Sequence, residues 1–133
     1  MDVSRYCPEG IFDTAPMGFP QVLIASPGKL LFANSVSLDE NMTLVGEDDF
    51  EAQMRYSLHN LKVILESAGA TPGEILQMRV NVVGMTDISR IAVIKTLNEF
   101  YDEHPRGSNA LIGVDRLARP QLLVEIEIIA GLQ

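Results

Sequence analysis

Alternating apolar and polar residues near the end of the chain predict a β-strand over residues 122–130. Glu125 and Glu127 share one face of such a strand, because successive side chains point to opposite sides. The other face consists of Val124, Ile126 and Ile128. The apolar face requires a core, whereas the acidic face requires water, a partner or a chemical role. The rest of the fold decides whether these carboxylates are solvated or lie in a cleft.

Two stretches with apolar residues at spacings of three and four predict amphipathic helices. The first is expected to begin after Asp48 as N-cap, with Glu51 completing a capping box, and to end before Gly69. Its predicted buried stripe is Phe50, Met54, Leu58, Leu61, Leu65 and Ala68. The second is expected to begin after Asp87 as N-cap and to end before Pro105. Its predicted apolar positions are Ile91, Ile94, Leu97 and Tyr101, flanked by Val93 and Phe100.

Shorter apolar patterns predict the remaining strands. Residues 22–25 and 30–34 flank the turn sequence Pro27-Gly28-Lys29, and together they predict a β-hairpin. The other predicted strands cover residues 76–82 and 110–114, and residues 43–45 are a possible further short strand.

The order of these elements predicts a single α+β domain over residues 1–133. Residues 1–18 show no periodicity and are expected to form an irregular arm or a short edge segment. With two helices for five to six strands, both helices are expected to pack on one face of a single mixed sheet. The opposite face, with Glu125 and Glu127, is then a candidate subunit interface.

Composition narrows the possible functions. The chain is 47% hydrophobic and 21% charged, as in ordinary globular proteins, and its net charge of −8 disfavours nucleic-acid binding. No apolar run approaches the roughly 20 residues of a membrane helix. The single Cys7 and the absence of a secretion signal favour the cytoplasm. The sequence has no Gly-rich phosphate-binding loop, no motif with metal-ligand spacing and no Gly-x-Ser-x-Gly motif of serine hydrolases, so no metal or cofactor is expected. Glu125 is therefore the best candidate for a catalytic residue.

Two segments carry a likeness to a known family. The first segment is residues 60–70, and the strand that follows it ends in Gly84-Met85-Thr86-Asp87. The second segment is residues 116–130, which begins with Arg116-Leu117 and ends with Val124-Glu125-Ile126-Glu127-Ile128-Ile129-Ala130. From about residue 18 to residue 130 the chain resembles the Rid/YjgF family, also called L-PSP, of small cytosolic proteins that deaminate reactive enamines and imines. The resemblance implies a chorismate-mutase-like subunit and a homotrimer with its helices outside. Small-molecule substrates would bind in three clefts between neighbouring subunits.

The resemblance also implies site residues. Family deaminases hold the substrate carboxylate with an arginine at the start of the penultimate strand, where this chain has Asn109. Arg106 lies three residues earlier, in a stretch longer than the family pattern, and is an alternative cation for the cleft. Glu125 matches the glutamate that positions the attacking water. The family's Ser-Gly-Gln appears as Asn34-Ser35-Val36, and its early pocket tyrosine corresponds to Phe19.

Three functions remain open at this level. The first is an enamine or imine deaminase of altered specificity, in which Glu125 orients water and Asn34, Ser35 and Asn109 contact a substrate less charged than an α-imino acid. The second is a trimeric small-molecule-binding or regulatory protein without catalysis. The third is an endoribonuclease, an activity also attributed to the family, which the acidic charge disfavours.

Overall fold

Six strands and two α-helices form the fold of residues 2–26 and 28–133, the part of the chain that the computed structural model describes. The helices are α1 (Phe50–Ser67) and α2 (Asp87–Tyr101). The strands are β1 (Val3–Tyr6), β2 (Val22–Ala25), β3 (Lys29–Val36), β4 (Ile75–Val83), β5 (Ser108–Val114) and β6 (Val124–Leu132). Short 3₁₀ turns span Ala15–Met17 and Pro72–Glu74. The possible strand at residues 43–45 is not formed, because Leu44 makes only an isolated antiparallel bridge with Leu38.

The strands form two sheets, one of two strands and one of four. The larger sheet has the order β3-β6-β4-β5, with β4 and β5 parallel and the other neighbours antiparallel. The smaller sheet pairs β1 with β2. The α+β class and the two helices are confirmed, whereas the strands are divided between two sheets rather than joined in one. Residues 1–18, expected to be irregular or a short edge segment, include β1 of the smaller sheet.

The predicted β-hairpin of β2 and β3 is wrong. β2 pairs with β1, while β3 pairs along its whole length with β6, from Lys29 opposite Leu132 to Val36 opposite Glu125. By pairing with β6, β3 joins the sheet that packs against the hydrophobic core. The turn residues between β2 and β3 carry no information about this long-range pairing. Pro27 of the predicted turn lies outside the described residues.

The hydrophobic core lies between the four-stranded sheet and the two helices. From the helices it takes Met54, Leu58, Leu61, Leu65, Val93, Leu97 and Tyr101. From the sheet it takes Ile75, Met78, Val80, Val82, Val124, Ile126, Ile128 and Ala130. Alternation along β6, and along β4 from Met78 onward, places the apolar residues under the helices, as predicted, and leaves the other face of the sheet uncovered. A register shift between Ile75 and Gln77 brings Ile75 into the same core.

The helix ends differ from the predictions by one residue. Asp49, not Asp48, caps α1, and its side chain accepts a hydrogen bond from the Ala52 backbone N–H at 3.0 Å. Asp48 has a φ of +57° and lies before the helix, so it serves the turn instead. Thr86 caps α2 and forms a capping box with Ser89.

The buried face of α2 is also rotated relative to the prediction. Val93, Leu97 and Tyr101 are buried, but Ile91 is 58% exposed and Ile94 is 44% exposed. The reason is that Ser89 and Thr96 take buried positions, where their hydroxyls bond to the helix backbone. In α1, Phe50 is only partly buried and Ala68 is exposed.

Candidate functional site

Glu125 lies on the uncovered face of the four-stranded sheet, opposite Asn81 of β4 and Val36 of β3. Its carboxylate makes no ion pair or side-chain hydrogen bond with another residue of the described ranges. Partial burial raises the pKa of Glu125, and the charge of Glu127 on the same face raises it further. An unpaired carboxylate with a raised pKa is suited to accept a proton.

Glu127 is held more firmly than Glu125. Its carboxylate accepts a hydrogen bond of 2.9 Å from the Asn81 side-chain amide, and it lies between Arg79 of β4 and Asn34 of β3. Glu127, Arg79 and Asn34 line a concavity of about 330 Å³ on the uncovered face. Asn34 therefore lies beside Glu127. Arg79 and Glu127 were not predicted as site residues, although alternation along β4 and β6 already placed both side chains on this face.

A second cavity, of about 280 Å³, lies between α2, β5 and the segment before β2. It brings together three residues predicted for the site, Phe19, Arg106 and Asn109. Asn109 points to the helix side of the sheet because it is opposite the buried Met78 in the parallel pair of β4 and β5. Its side-chain oxygen is buried without a hydrogen-bond partner, so the amide has unused capacity next to the cavity.

Arg106 forms one wall of this second cavity. Its guanidinium donates a hydrogen bond of 2.6 Å to the Asn98 side-chain oxygen and lies 5.2 Å from the centre of the Tyr101 ring. Its backbone carbonyl accepts a hydrogen bond of 2.8 Å from the Arg5 Nε–H. Burial raises the pKa of the Tyr101 hydroxyl, and the positive charges of Arg106 and Arg5 oppose that rise. Tyr101 was predicted as a core residue, and Arg5 was not predicted for the site.

Ser35 lies on the opposite side of β3 from Asn34. It is 6% exposed, and its hydroxyl donates a hydrogen bond of 2.8 Å to the backbone carbonyl of Ser57 in α1. The bond fastens the first helix to the sheet, so this hydroxyl is engaged and not free to contact a ligand.

The candidate residues thus form two separate groups within one chain. Glu125 and Asn34 lie on the uncovered face, whereas Phe19, Arg106 and Asn109 lie at the helix side of the edge strand β5. β4 separates β6 from β5, which puts the two strands about 10 Å apart with the sheet between the groups. A small ligand therefore cannot contact both groups of a single chain.

Residues 2–26 and 28–133 contain no group of three or more His, Cys, Asp or Glu side chains arranged to hold a metal ion. In the same part of the chain, no helix has the length and apolar character needed to cross a membrane.

The chain is similar in sequence to proteins that are already known. A family model described as endoribonuclease L-PSP matches residues 15–132. A RutC family protein of Synechocystis is 31% identical over 119 residues, which are 89% of this chain and 89% of the relative. The 2-iminobutanoate/2-iminopropanoate deaminase of Salmonella typhimurium is 31% identical over 103 residues, 76% of this chain and 77% of the relative.

Solved structures share the fold. The Rid-family protein YyfB of Yersinia pestis, described as being of unknown function, has a TM-score of 0.92 at 35% identity and covers 99% of this chain and 100% of its own. TdcF of Escherichia coli, solved with bound serine, has a TM-score of 0.68 at 25% identity over 82% of this chain and 85% of its own.

Proposed function

We propose, since the chain belongs to the L-PSP family, also called Rid/YjgF, that it hydrolyses a small enamine or imine and releases ammonia. The observation that carries the proposal is Glu125, a half-buried carboxylate without a partner among the described residues, on the face that the helices leave uncovered. The Salmonella relative, whose name describes imine deamination, supports the reaction class. The bound serine of TdcF supports a small-molecule ligand.

Hydrolysis of an imine requires a water molecule aligned on the electrophilic carbon and a base to take its proton. In the proposed reaction the water oxygen bonds to the carbon of the C=N group while Glu125 accepts one proton from the water. The same proton then passes to the nitrogen. The hydroxyl proton of the resulting carbinolamine then passes by way of Glu125 to the nitrogen, so that the carbonyl forms, the C–N bond breaks and ammonia leaves. Its raised pKa makes the Glu125 carboxylate a stronger base than an ordinary glutamate.

Phe19, Arg106 and Asn109 form the proposed substrate-binding half of the site, since they line one cavity together. Asn34 belongs to the other half, near Glu127, and Ser35 supports the fold rather than the substrate. Because the sheet separates the two halves in one chain, each cleft takes one half from each of two neighbouring copies. A closed homotrimer provides three such clefts by symmetry.

The exposed side chains of the uncovered face support this assembly. Phe32 of β3 is 70% exposed and Leu30 is 49% exposed, beside the carboxylates of β6. Large apolar side chains next to a functional group are typical of an interface. A neighbouring copy placed here would cover them and would also remove water from around Glu125.

The decisive experiment measures ammonia release from imines generated in situ. Glu125→Ala is expected to abolish ammonia release while the folded state persists. The control is Glu66→Ala, which removes an exposed carboxylate of α1 and is expected to leave the rate unchanged. Unaltered turnover in the Glu125 variant would reject the assignment of the base.

A mixing experiment tests whether the cleft lies between copies. Glu125→Ala lacks the base, and the double variant Arg106→Gln/Asn109→Leu lacks the substrate-binding half. When the two inactive chains are co-expressed in equal amounts, about a quarter of the clefts in a random trimer receive both intact halves. Ammonia release at about that fraction of the wild-type rate is expected. No recovery would place the whole site within one chain.

A non-catalytic binding protein is the second candidate, favoured by the neutral Asn109 at the position that the resemblance assigns to an arginine. Saturable binding of a small molecule without turnover of any imine would establish it. The family description also names an endoribonuclease, but a chain of net charge −8 repels a phosphate backbone.

A further inference from the structure

We propose that Asn81 is a positioning residue of the site, whose side-chain amide anchors the Glu127 carboxylate so that Glu125 alone exchanges the proton. This role rests on the proposed function and explains how one of two neighbouring carboxylates becomes the base. Both carboxylates lie on the uncovered face of β6, two residues apart, and both belong to the same type of side chain. Only their surroundings distinguish them.

Asn81 bridges the two glutamates from the neighbouring strand. It lies in β4, directly opposite Glu125 in the antiparallel pair with β6. Its Nδ2 group donates a hydrogen bond of 2.9 Å to Glu127 Oε2 and a longer one of 3.4 Å to the backbone carbonyl of Glu125. Both partners are acceptors, so the amide must present its NH₂ group to β6 rather than its oxygen. The two N–H groups of one side chain therefore fix Glu127 relative to the backbone that carries Glu125.

The anchor of Glu127 is a neutral amide rather than an arginine. Arg79 lies opposite Glu127 in the register of β4 and β6, but the two form no ion pair within residues 2–26 and 28–133. A neutral amide holds the carboxylate without cancelling its charge. That charge therefore still acts on Glu125, whose pKa is raised by partial burial and then further by Glu127.

The strands beside β6 contribute no other anchor for this pair. β3 presents only uncharged side chains to it, with Val36 opposite Glu125 and Asn34 opposite Glu127. Arg79 is the one charged residue within β4, and β5 contains none. The difference between the two carboxylates therefore depends on the hydrogen bond from β4.

Loss of the Asn81 amide should make the two carboxylates alike. Without a hydrogen bond to its charged form, Glu127 would compete with Glu125 for the same proton. Two neighbouring carboxylates that share one proton titrate as a pair, in two steps. The Glu125 base would then be protonated for part of the time over a wider range of pH.

NMR titration of the Glu125 side-chain carboxyl carbon, in full-length protein labelled at glutamate, tests the proposal independently of catalysis. The wild type is expected to show one step. Asn81→Leu, which is similar in size but lacks the amide, should show two steps, with about half of the Glu125 population protonated between them. Asn81→Ala repeats the comparison with a smaller side chain on this open face.

The double variant Asn81→Leu/Glu127→Gln separates positioning from a merely structural role. No second carboxylate remains to share the proton, so the Glu125 carbon should again titrate in one step. A structural defect caused by the loss of Asn81 would not be reversed by a second substitution. In ammonia release, the acid limb of the pH–rate profile should broaden in Asn81→Leu and sharpen again in the double variant.

Gln77→Leu is the matched control, because it removes an exposed amide from the same strand, at a position opposite Ile129. It should leave the single step unchanged. A single step in Asn81→Leu, two steps that persist in the double variant, or two steps in Gln77→Leu would each overturn the proposal. The expected titrations in a protein that releases no ammonia would refute only the proposed reaction. Ammonia release with titrations that do not respond to Asn81 would refute only the positioning role.

Discussion

Glu127 lies two residues after Glu125 on the same face of β6, and its negative charge contributes to the raised pKa of Glu125. Asn81 holds Glu127 by a hydrogen bond of 2.9 Å, so the second carboxylate has a fixed position. The pair combines one anchored carboxylate with one that is free to exchange a proton. Its members therefore respond differently to substitution.

The first prediction concerns the pH dependence of ammonia release. The rate should fall on acidification at a higher pH than for an ordinary glutamate, because Glu125 must be deprotonated to act as a base and its pKa is raised. Glu127→Gln removes the like charge, so the acid limb of the pH–rate profile should move to lower pH. Partial burial still acts, so the shift should be incomplete. An acid limb that stays in place or moves upward would contradict this account, and Glu66→Gln provides the control.

The second prediction concerns stability. A raised pKa means that the folded state binds the Glu125 proton more tightly than the unfolded chain does. The stabilisation by this proton is fully present below the ordinary pKa of a glutamate and is lost as the pH rises through the raised value. Glu125→Gln should therefore raise Tm relative to wild type at about pH 7, and this advantage should shrink at about pH 4. Thermal unfolding at both pH values measures it, and an equal difference at both would contradict the prediction.

The third prediction concerns Gln53, which is fully buried in α1. Its amide donates hydrogen bonds to the backbone carbonyls of Gly46 and Gln121, at 3.1 and 3.0 Å, and accepts one of 2.8 Å from the Leu123 N–H. The side chain thereby fixes the approach to β6. Gln53→Leu removes the partner of the Leu123 N–H and of the Gln121 carbonyl, whereas the Gly46 carbonyl keeps its hydrogen bond from the Asp49 N–H. The change should therefore cost about 1–3 kcal/mol of unfolding free energy.

Urea denaturation measures the loss from Gln53→Leu. Val63→Ala, at an exposed position of the same helix, is the control and should change the stability by less than about 0.5 kcal/mol. A similar small effect for Gln53→Leu would show that water satisfies the orphaned groups.

The fourth prediction compares two glycines near β5. A Cβ at Gly107 would overlap with the backbone carbonyl oxygens of Ile75 and Leu76, whereas a Cβ at Gly113 would meet the Met85 side chain at an ordinary 3.8 Å. Gly107→Ala should therefore destabilise by about 3 kcal/mol or more, and Gly113→Ala should be tolerated. Because Gly107 lines the same cavity as Arg106, slower ammonia release should accompany the loss of stability. Equal stability of the two variants would contradict the prediction.

Local periodicity was sufficient to predict the helices and the strands β4 and β6, because each buries a face that the sequence marks directly. It also located β2 and β3, but the hairpin predicted from the turn between them is wrong, because β2 pairs with β1 and β3 pairs with β6. The helix caps were each misplaced by one residue, since adjacent polar residues compete for the same backbone N–H groups.

The residues of the candidate site were likewise predicted only in part. Phe19, Arg106 and Asn109 were named from the sequence, and they share a cavity. Asn34 and Ser35 are neighbours in β3, so their side chains must point to opposite faces of the sheet. The sequence therefore already implied that the two residues cannot both contact one ligand. Arg5 could not have been found this way, because nothing local connects it to a residue 101 positions away.

The small sheet of β1 and β2 contributes no residue to the hydrophobic core. Substitution of an apolar residue of this small sheet should therefore cost less unfolding free energy than substitution of a core residue, while the Arg5 side chain still ties β1 to the backbone that leads into β5.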